Sequence, residues 1–145
     1  MSYSFENIKT DLKDYHQVVR KYSKADVGKA IFEMLKTYLP FFVLFILSAF
    51  IYEYSILLSI ILSIFAGFFL VRIFIIQHDC GHQSFMPHRK ANNIIGFISS
   101  FFTLIPYKYW AKSHNYHHAH QGLLQNRTIG DISLLTVEQY SKLNS

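Results

Sequence analysis

A single cysteine, Cys80, stands in the whole chain. That excludes an internal disulfide and suits a reducing compartment. Acidic residues are scarce, nine Asp and Glu against fourteen Lys and Arg, which leaves a net charge of +5. The basic residues nowhere form a run with interleaved aromatics, so the surplus points to a membrane surface and argues against a nucleic-acid partner. Two stretches lack charge altogether: Leu39 to Tyr52, fourteen residues, and Tyr54 to Val71, eighteen residues. No internal repeat and no low-complexity segment is present. No cleavable signal peptide is visible either, because residues 1–30 are mostly polar and charged. Membrane targeting is therefore expected to come from the apolar blocks themselves.

What is abundant is apolar and aromatic side chain, 51% and 17% of the 145 residues, gathered mainly into those two blocks. Residues 1–36 read as a cytoplasmic or interfacial leader, with 37–145 as the membrane domain. Ser23-x-x-Asp26 is expected to cap a helix running into Ile31, Phe32, Met34 and Leu35. The fourteen-residue block spans only about 21 Å at a helical rise, short of the ~30 Å hydrocarbon layer. Extension back over Lys36 closes the gap, since a lysine near a helix end can snorkel. Pro40 then falls near the start of the span, where proline is tolerated. The second block continues past Arg72 to Ile76. Between the two stand only Tyr52, Glu53 and Tyr54, so residues 37–76 are expected to form a tight transmembrane hairpin. Lys and Arg number seven before residue 37, none in the turn and seven from Arg72 onward. The positive-inside rule then puts the N-terminus and everything after Ile76 on the cytoplasmic face.

The next apolar block, Ile94 to Ile105, has twelve residues and is expected to be re-entrant or interfacial rather than to cross. Tyr107, Tyr109 and Trp110 read as an aromatic belt beyond Pro106. The predicted fold class is thus an all-α membrane protein: a transmembrane hairpin, a short re-entrant helix and cytoplasmic histidine-bearing helices. On either side of the short block lie five of the eight histidines. His78 and His82 are spaced i, i+4, and His114, His117 and His118 are spaced i, i+3, i+4, so each group shares one helical face. Such clusters suit a metal, although imidazole alone does not choose which one. Asp79 and Asn115 are candidates to hold ring N–H groups behind the ligands; for Asp79 a solvated charge competes. Cys80 points off the histidine face and is expected to pack. Gly81 makes sense if a helix or a substrate approaches closely. Trp110, one turn before His114, either walls the site or anchors the interface. His16, His88 and His120 are expected to be solvated.

The order HDCGHQSF at His78–Phe85, RKANNIIGF from Arg89, PYKYW from Pro106, HNYHH at His114–His118 and GDISLLTVEQY from Gly130 resembles the membrane-bound fatty acid desaturases, bacterial acyl-lipid branch. The resemblance covers His78 to Tyr140, with the preceding hairpin also fitting. It implies an iron-dependent oxidoreductase of lipid metabolism that uses O2 and two electrons to introduce a double bond into a fatty acyl chain. The di-iron centre would be held by His78, His82, His114, His117 and His118 on the cytoplasmic side. The implied partners are a membrane lipid or fatty acyl substrate and an electron donor, ferredoxin or a cytochrome b5-like protein.

The family pattern includes a further hairpin and a third histidine box of the HxxHH kind, and this chain contains neither. Five histidines do not complete a two-iron centre, so the resemblance implies a missing C-terminal half: a fragment, a truncated gene product or one part of a split enzyme. Two other readings stand beside it. One is a hydroxylase or ketolase of lipids, alkanes or carotenoids built on similar boxes; the other is a non-enzymatic membrane fragment.

Overall fold

The computed structural model describes residues 15, 17–20, 23–120 and 135–143. His16 and residues 130–134 of the last motif lie outside the described residues. Helix α1, Val27–Ile51, and helix α2, Ile56–Gly81, form an antiparallel hairpin. They are joined by α3, Arg89–Thr103, and α4, Tyr107–His120, and a short helix α5 covers Val137–Leu143. No strand occurs among the described residues.

At 1.5 Å per residue α1 and α2 are about 38 and 39 Å long, more than the hydrocarbon layer requires. Both are apolar enough to cross a membrane, and most of their surface is uncovered by protein. The chain is an all-α membrane protein. The first helix starts earlier, and the second ends later, than the uncharged blocks suggest. The N-cap of α1 is Asp26, whose side chain accepts from Lys29 N at 2.8 Å, rather than Ser23, whose hydroxyl donates to the Arg20 carbonyl. The expected leader helix and first span are therefore one rod. Pro40 lies well inside it, where it removes one backbone hydrogen bond in the middle of α1. The second span likewise carries on through the first histidine box as far as Gly81. The turn takes residues 52–55 and is closed by Ser55 N to the Ile51 carbonyl, 2.9 Å. Ser55 then caps α2 through Leu58 N.

The helices meet along small and polar residues and show large apolar ones outward. Buried positions of α1 are Ala30, Thr37, Phe41 and Ser48, and the Ser59 hydroxyl of α2 donates to the Ser48 carbonyl at 2.8 Å. Arg72 bridges back to Glu33 at 3.0 Å and Thr37 at 3.4 Å. Helix α3 carries the pattern furthest: it buries Asn92, Gly96 and Ser99, spaced i, i+4, i+7, and exposes Ile94, Phe97, Ile98 and Phe101. This inside-out amphipathicity is stable against lipid, where polar groups gain by facing protein and small residues permit close helix contact.

Helix α3 leans against the hairpin. Its far end places Phe102 edge-on to Phe41 and Phe42, at ring separations of 5.9 and 5.5 Å, and Tyr38 and Ser99 hydroxyls are 2.7 Å apart. It ends at Leu104, which takes a left-handed conformation (φ 57°). Fully buried Gln77 secures the exit, donating to the Ile105 carbonyl at 3.0 Å and accepting from Thr103 Oγ1 at 2.6 Å. The chain thus turns back after 15 residues and α4 returns alongside the end of α2. Tyr107 is not part of an aromatic belt: it is buried, and its hydroxyl donates to the Cys80 carbonyl at 2.9 Å. Tyr109 does remain exposed.

Candidate metal centre

His78 rides on the last turns of α2, and His82 is its C-cap residue, with its N–H bonded to the His78 carbonyl. His114 and His118 occupy successive turns of α4. The helix return brings the two pairs together. Nε2 of His114 lies 3.0 Å from Nε2 of His78 and 3.2 Å from Nε2 of His82, which is itself 3.3 Å from His78. His118 Nε2 adds a fourth corner, 3.1 Å from His114. One ligand atom from each of the four falls within 4.8 Å of every other.

Those spacings fit a metal. Donors about 2.1 Å from one ion and roughly at right angles are separated by about 3.0 Å, and tetrahedral ones by about 3.4 Å. Hydrogen bonding among the rings is a poorer alternative, since three mutually adjacent nitrogens cannot all be satisfied by one another's N–H groups. Two of the rings, His114 and His82, are also biased towards the neutral form that a ligand must have. Burial first, and then the neighbouring His78, His118, His82 and His117, bring His114 down to about 4. His82 is lowered by burial and by His78 and His118, with Asp79 and a hydrogen bond to Asn115 working the other way.

Around the cluster, Asp79 Oδ1 stands 3.1 Å from His78 Nδ1, the ring nitrogen opposite the converging one. Asn115 donates to the Gly81 carbonyl at 3.2 Å, tying α4 to the end of α2. Trp110 walls the site: its indole stacks on His114 (4.5 Å, 16° between planes) and abuts His78 and Phe74. Gly81 is the counterpart of that wall, because a methyl group there would lie 2.8 Å from Trp110 Cζ3. Cys80 packs in the core.

His117 is the candidate that the fold does not bring into the group. Its ring is 6.5 Å from that of His114 and 5.8 Å from that of His118. Helix α4 runs through His120, whose Nδ1 lies 2.8 Å from the Tyr116 carbonyl and whose ring stacks on Tyr116. His88 is the exposed N-cap residue of α3. Residues missed from sequence are those that lock the frame. Tyr107 and Asn93 bond at 3.3 Å, Gln83 donates to Asn93 at 3.2 Å, and Gly96 leaves room for the Tyr107 ring. Gly96 within an apolar block was the one available signal.

A family model for fatty acid desaturases matches residues 54–142. A fatty acid desaturase of Bacillus subtilis (strain 168) is 40% identical over 128 residues, 88% of this chain and 36% of the relative. An sn-1 acyl-lipid omega-3 desaturase (ferredoxin) of Nostoc sp. (strain 36) is 43% identical over 54 residues, 37% of this chain and 15% of the relative. An acyl-lipid omega-3 desaturase (cytochrome b5) of the endoplasmic reticulum of Arabidopsis thaliana is also 43% identical over 54 residues, 37% of this chain and 14% of the relative. The chain spans little more than a third of the Bacillus relative and less of the other two. No solved structure matches the chain.

Proposed function

Because the chain belongs to the fatty acid desaturase family, we propose that it forms the membrane hairpin and half of the metal centre of an acyl-lipid desaturase. The observation that carries this reading is the convergence of four imidazole Nε2 atoms at the end of a membrane span. His78, His82, His114 and His118 hold iron through Nε2, and His117 is kept as a fifth ligand, available to a second ion. Asp79 orients the His78 ring by accepting from its Nδ1. Asn115 steadies the cluster through the Gly81 carbonyl. Trp110 and Phe74 close its underside against water.

When bound, the metal supplies oxidising power that no side chain has, so that O2, two electrons and two protons take two hydrogens from adjacent methylenes, leaving a double bond and two waters. The protein holds the acyl chain in place and favours the neutral form of His82 and His114. The electrons come from a ferredoxin or a cytochrome b5-like donor, as the names of the Nostoc and Arabidopsis relatives suggest for those proteins. The remaining ligands come from a C-terminal half carrying the third histidine box. The N-terminus and both boxes face the cytoplasm, which the distribution of Lys and Arg supports.

A chimera tests the reaction. The segment matching the Bacillus relative is exchanged into that protein, and membrane lipids are profiled in a host lacking desaturase. New double bonds are expected, and they should vanish with His114→Ala. Hydroxylated acyl chains without unsaturation would overturn the reading in favour of a hydroxylase.

A further inference from the structure

Away from the histidines, α3 and α4 enclose an open cavity of about 560 Å3, lined by Arg89, Lys90, Asn93, Ile94, Phe97 and Lys108. Its composition is divided. Three cations and no carboxylate form one part, and none of the three makes an ion pair with a described residue. Ile94 and Phe97 form the other, each about half exposed. The division follows the helix. Arg89, Asn93 and Phe97 are spaced i, i+4, i+8, so charge gives way to apolar surface over about 12 Å of α3. Further along, Phe102 rests on Phe41 of the hairpin, so the apolar part lies on the side leading into the bilayer.

We propose that this cavity is a docking site for one anionic phospholipid. Its phosphodiester sits among Arg89, Lys90 and Lys108, and an acyl tail runs over Ile94 and Phe97. Charge complementarity selects the occupant. Unpaired cations at the rim call for an anion, the Arg guanidinium offers a fork that matches phosphate oxygens, and an adjoining lipid-facing apolar wall calls for a tail on the same molecule. Asn93 couples the site to the histidine frame. It accepts hydrogen bonds from Gln83 and from Tyr107, whose hydroxyl also bonds the Cys80 carbonyl between His78 and His82. A lipid bridging Arg89 and Lys90 of α3 to Lys108 of α4 therefore clamps the junction on which the two histidine pairs depend. The proposal requires the membrane location but not the desaturation reaction, so the two can fail separately.

The test uses the full chain in nanodiscs of phosphatidylcholine with added phosphatidylglycerol, read by native mass spectrometry. One phosphatidylglycerol is expected to remain bound, with a preference of about tenfold or more over phosphatidylcholine. Arg89→Gln/Lys90→Gln/Lys108→Gln should abolish that preference. Lys24→Gln/Lys29→Gln/Lys112→Gln, which removes the same charge elsewhere, should leave it intact. Phe97→Ser should weaken retention, and glycerol phosphate alone should not compete. Should the triple variant fold poorly by circular dichroism, Lys108→Gln alone should still lower the preference severalfold. Equal retention of the two lipids, an equal loss in the control variant, an unchanged preference in Lys108→Gln, or full competition by glycerol phosphate would each overturn the site.

Discussion

Gly96→Ala should damage the metal centre from a distance, and the structure sets the size of the effect. A methyl group on Gly96 would lie 2.6 Å from Tyr107 Cζ and 2.7 Å from Cδ2. Cε2 is nearer still and ordinary contact begins at 3.4 Å, so the ring must retreat by more than the roughly 0.8 Å that Cζ alone requires. Tyr107 cannot do so alone, being 4% exposed with its hydroxyl fixed to the Cys80 carbonyl. The first turn of α4 must move with it, and His114 lies two turns along that helix. Alanine gains about 1 kcal/mol of helix propensity. Against this stand overpacking of about 1–3 kcal/mol and loss of a hydrogen bond worth about 0.5–1.5 kcal/mol. A net destabilisation of about 1–3 kcal/mol is expected in detergent-solubilised protein. Metal affinity should fall further than stability alone implies, by roughly 10–100-fold, because ligand positions must hold to about 0.2 Å. Cobalt(II) titration followed by visible absorption measures this. Tyr107→Leu in the same chain should recover part of the loss, as coupled neighbours do. Unchanged cobalt affinity in a folded Gly96→Ala protein would refute the linkage of α3 packing to the cluster.

Gln77→Leu should destabilise the fold by about 1–3 kcal/mol, seen as a lower melting temperature, because it strands the Thr103 hydroxyl and the Ile105 carbonyl. The metal-free chain should lose stability as pH falls from about 6.5 towards 4. His114 in the folded state takes its proton only near 4, whereas the unfolded chain takes it near 6.5, so acid favours unfolding across that window. Thermal melts of wild type and His114→Ala should converge as pH falls through it. With Cys80 replaced by Ser, single cysteines at Ser84 and Ser113 should resist an impermeant thiol reagent in intact cells, while one at Glu53 should react. Labelling of Ser84 and Ser113 from opposite sides would rule out the proposed orientation.

The hairpin was legible because long uncharged runs leave little choice of structure, and both histidine groups were legible because helical spacing puts them on one face. Helix ends were less so. Charge marks where hydrocarbon stops, but a helix continues into water whenever its next residues tolerate it, as residues 27–36 and 77–81 do. Tyr107 read as interfacial because tyrosine beside an apolar block is ambiguous: only the position of the Cys80 carbonyl, 27 residues away, decides that it is buried. His117 shares the spacing of His118, yet the approach of α2 to α4 selects the partner face, and spacing within one helix cannot report that. Trp110 and Gly81, left open between roles, were settled by the same crossing.

The inverted face of α3 also fixes an order of assembly. A segment whose protein-facing side is Asn92, Gly96 and Ser99 has nothing to hold it in hydrocarbon before α1 and α2 are paired. The hairpin can insert by itself, since both of its arms are long enough. Helix α3 can dock only onto the finished hairpin, through Tyr38, Gln77 and the Phe41 ring. Only that docking turns the chain back and delivers His114 to His78. An ion held by the four histidines would therefore have to arrive last, at a site that does not exist until α3 has docked.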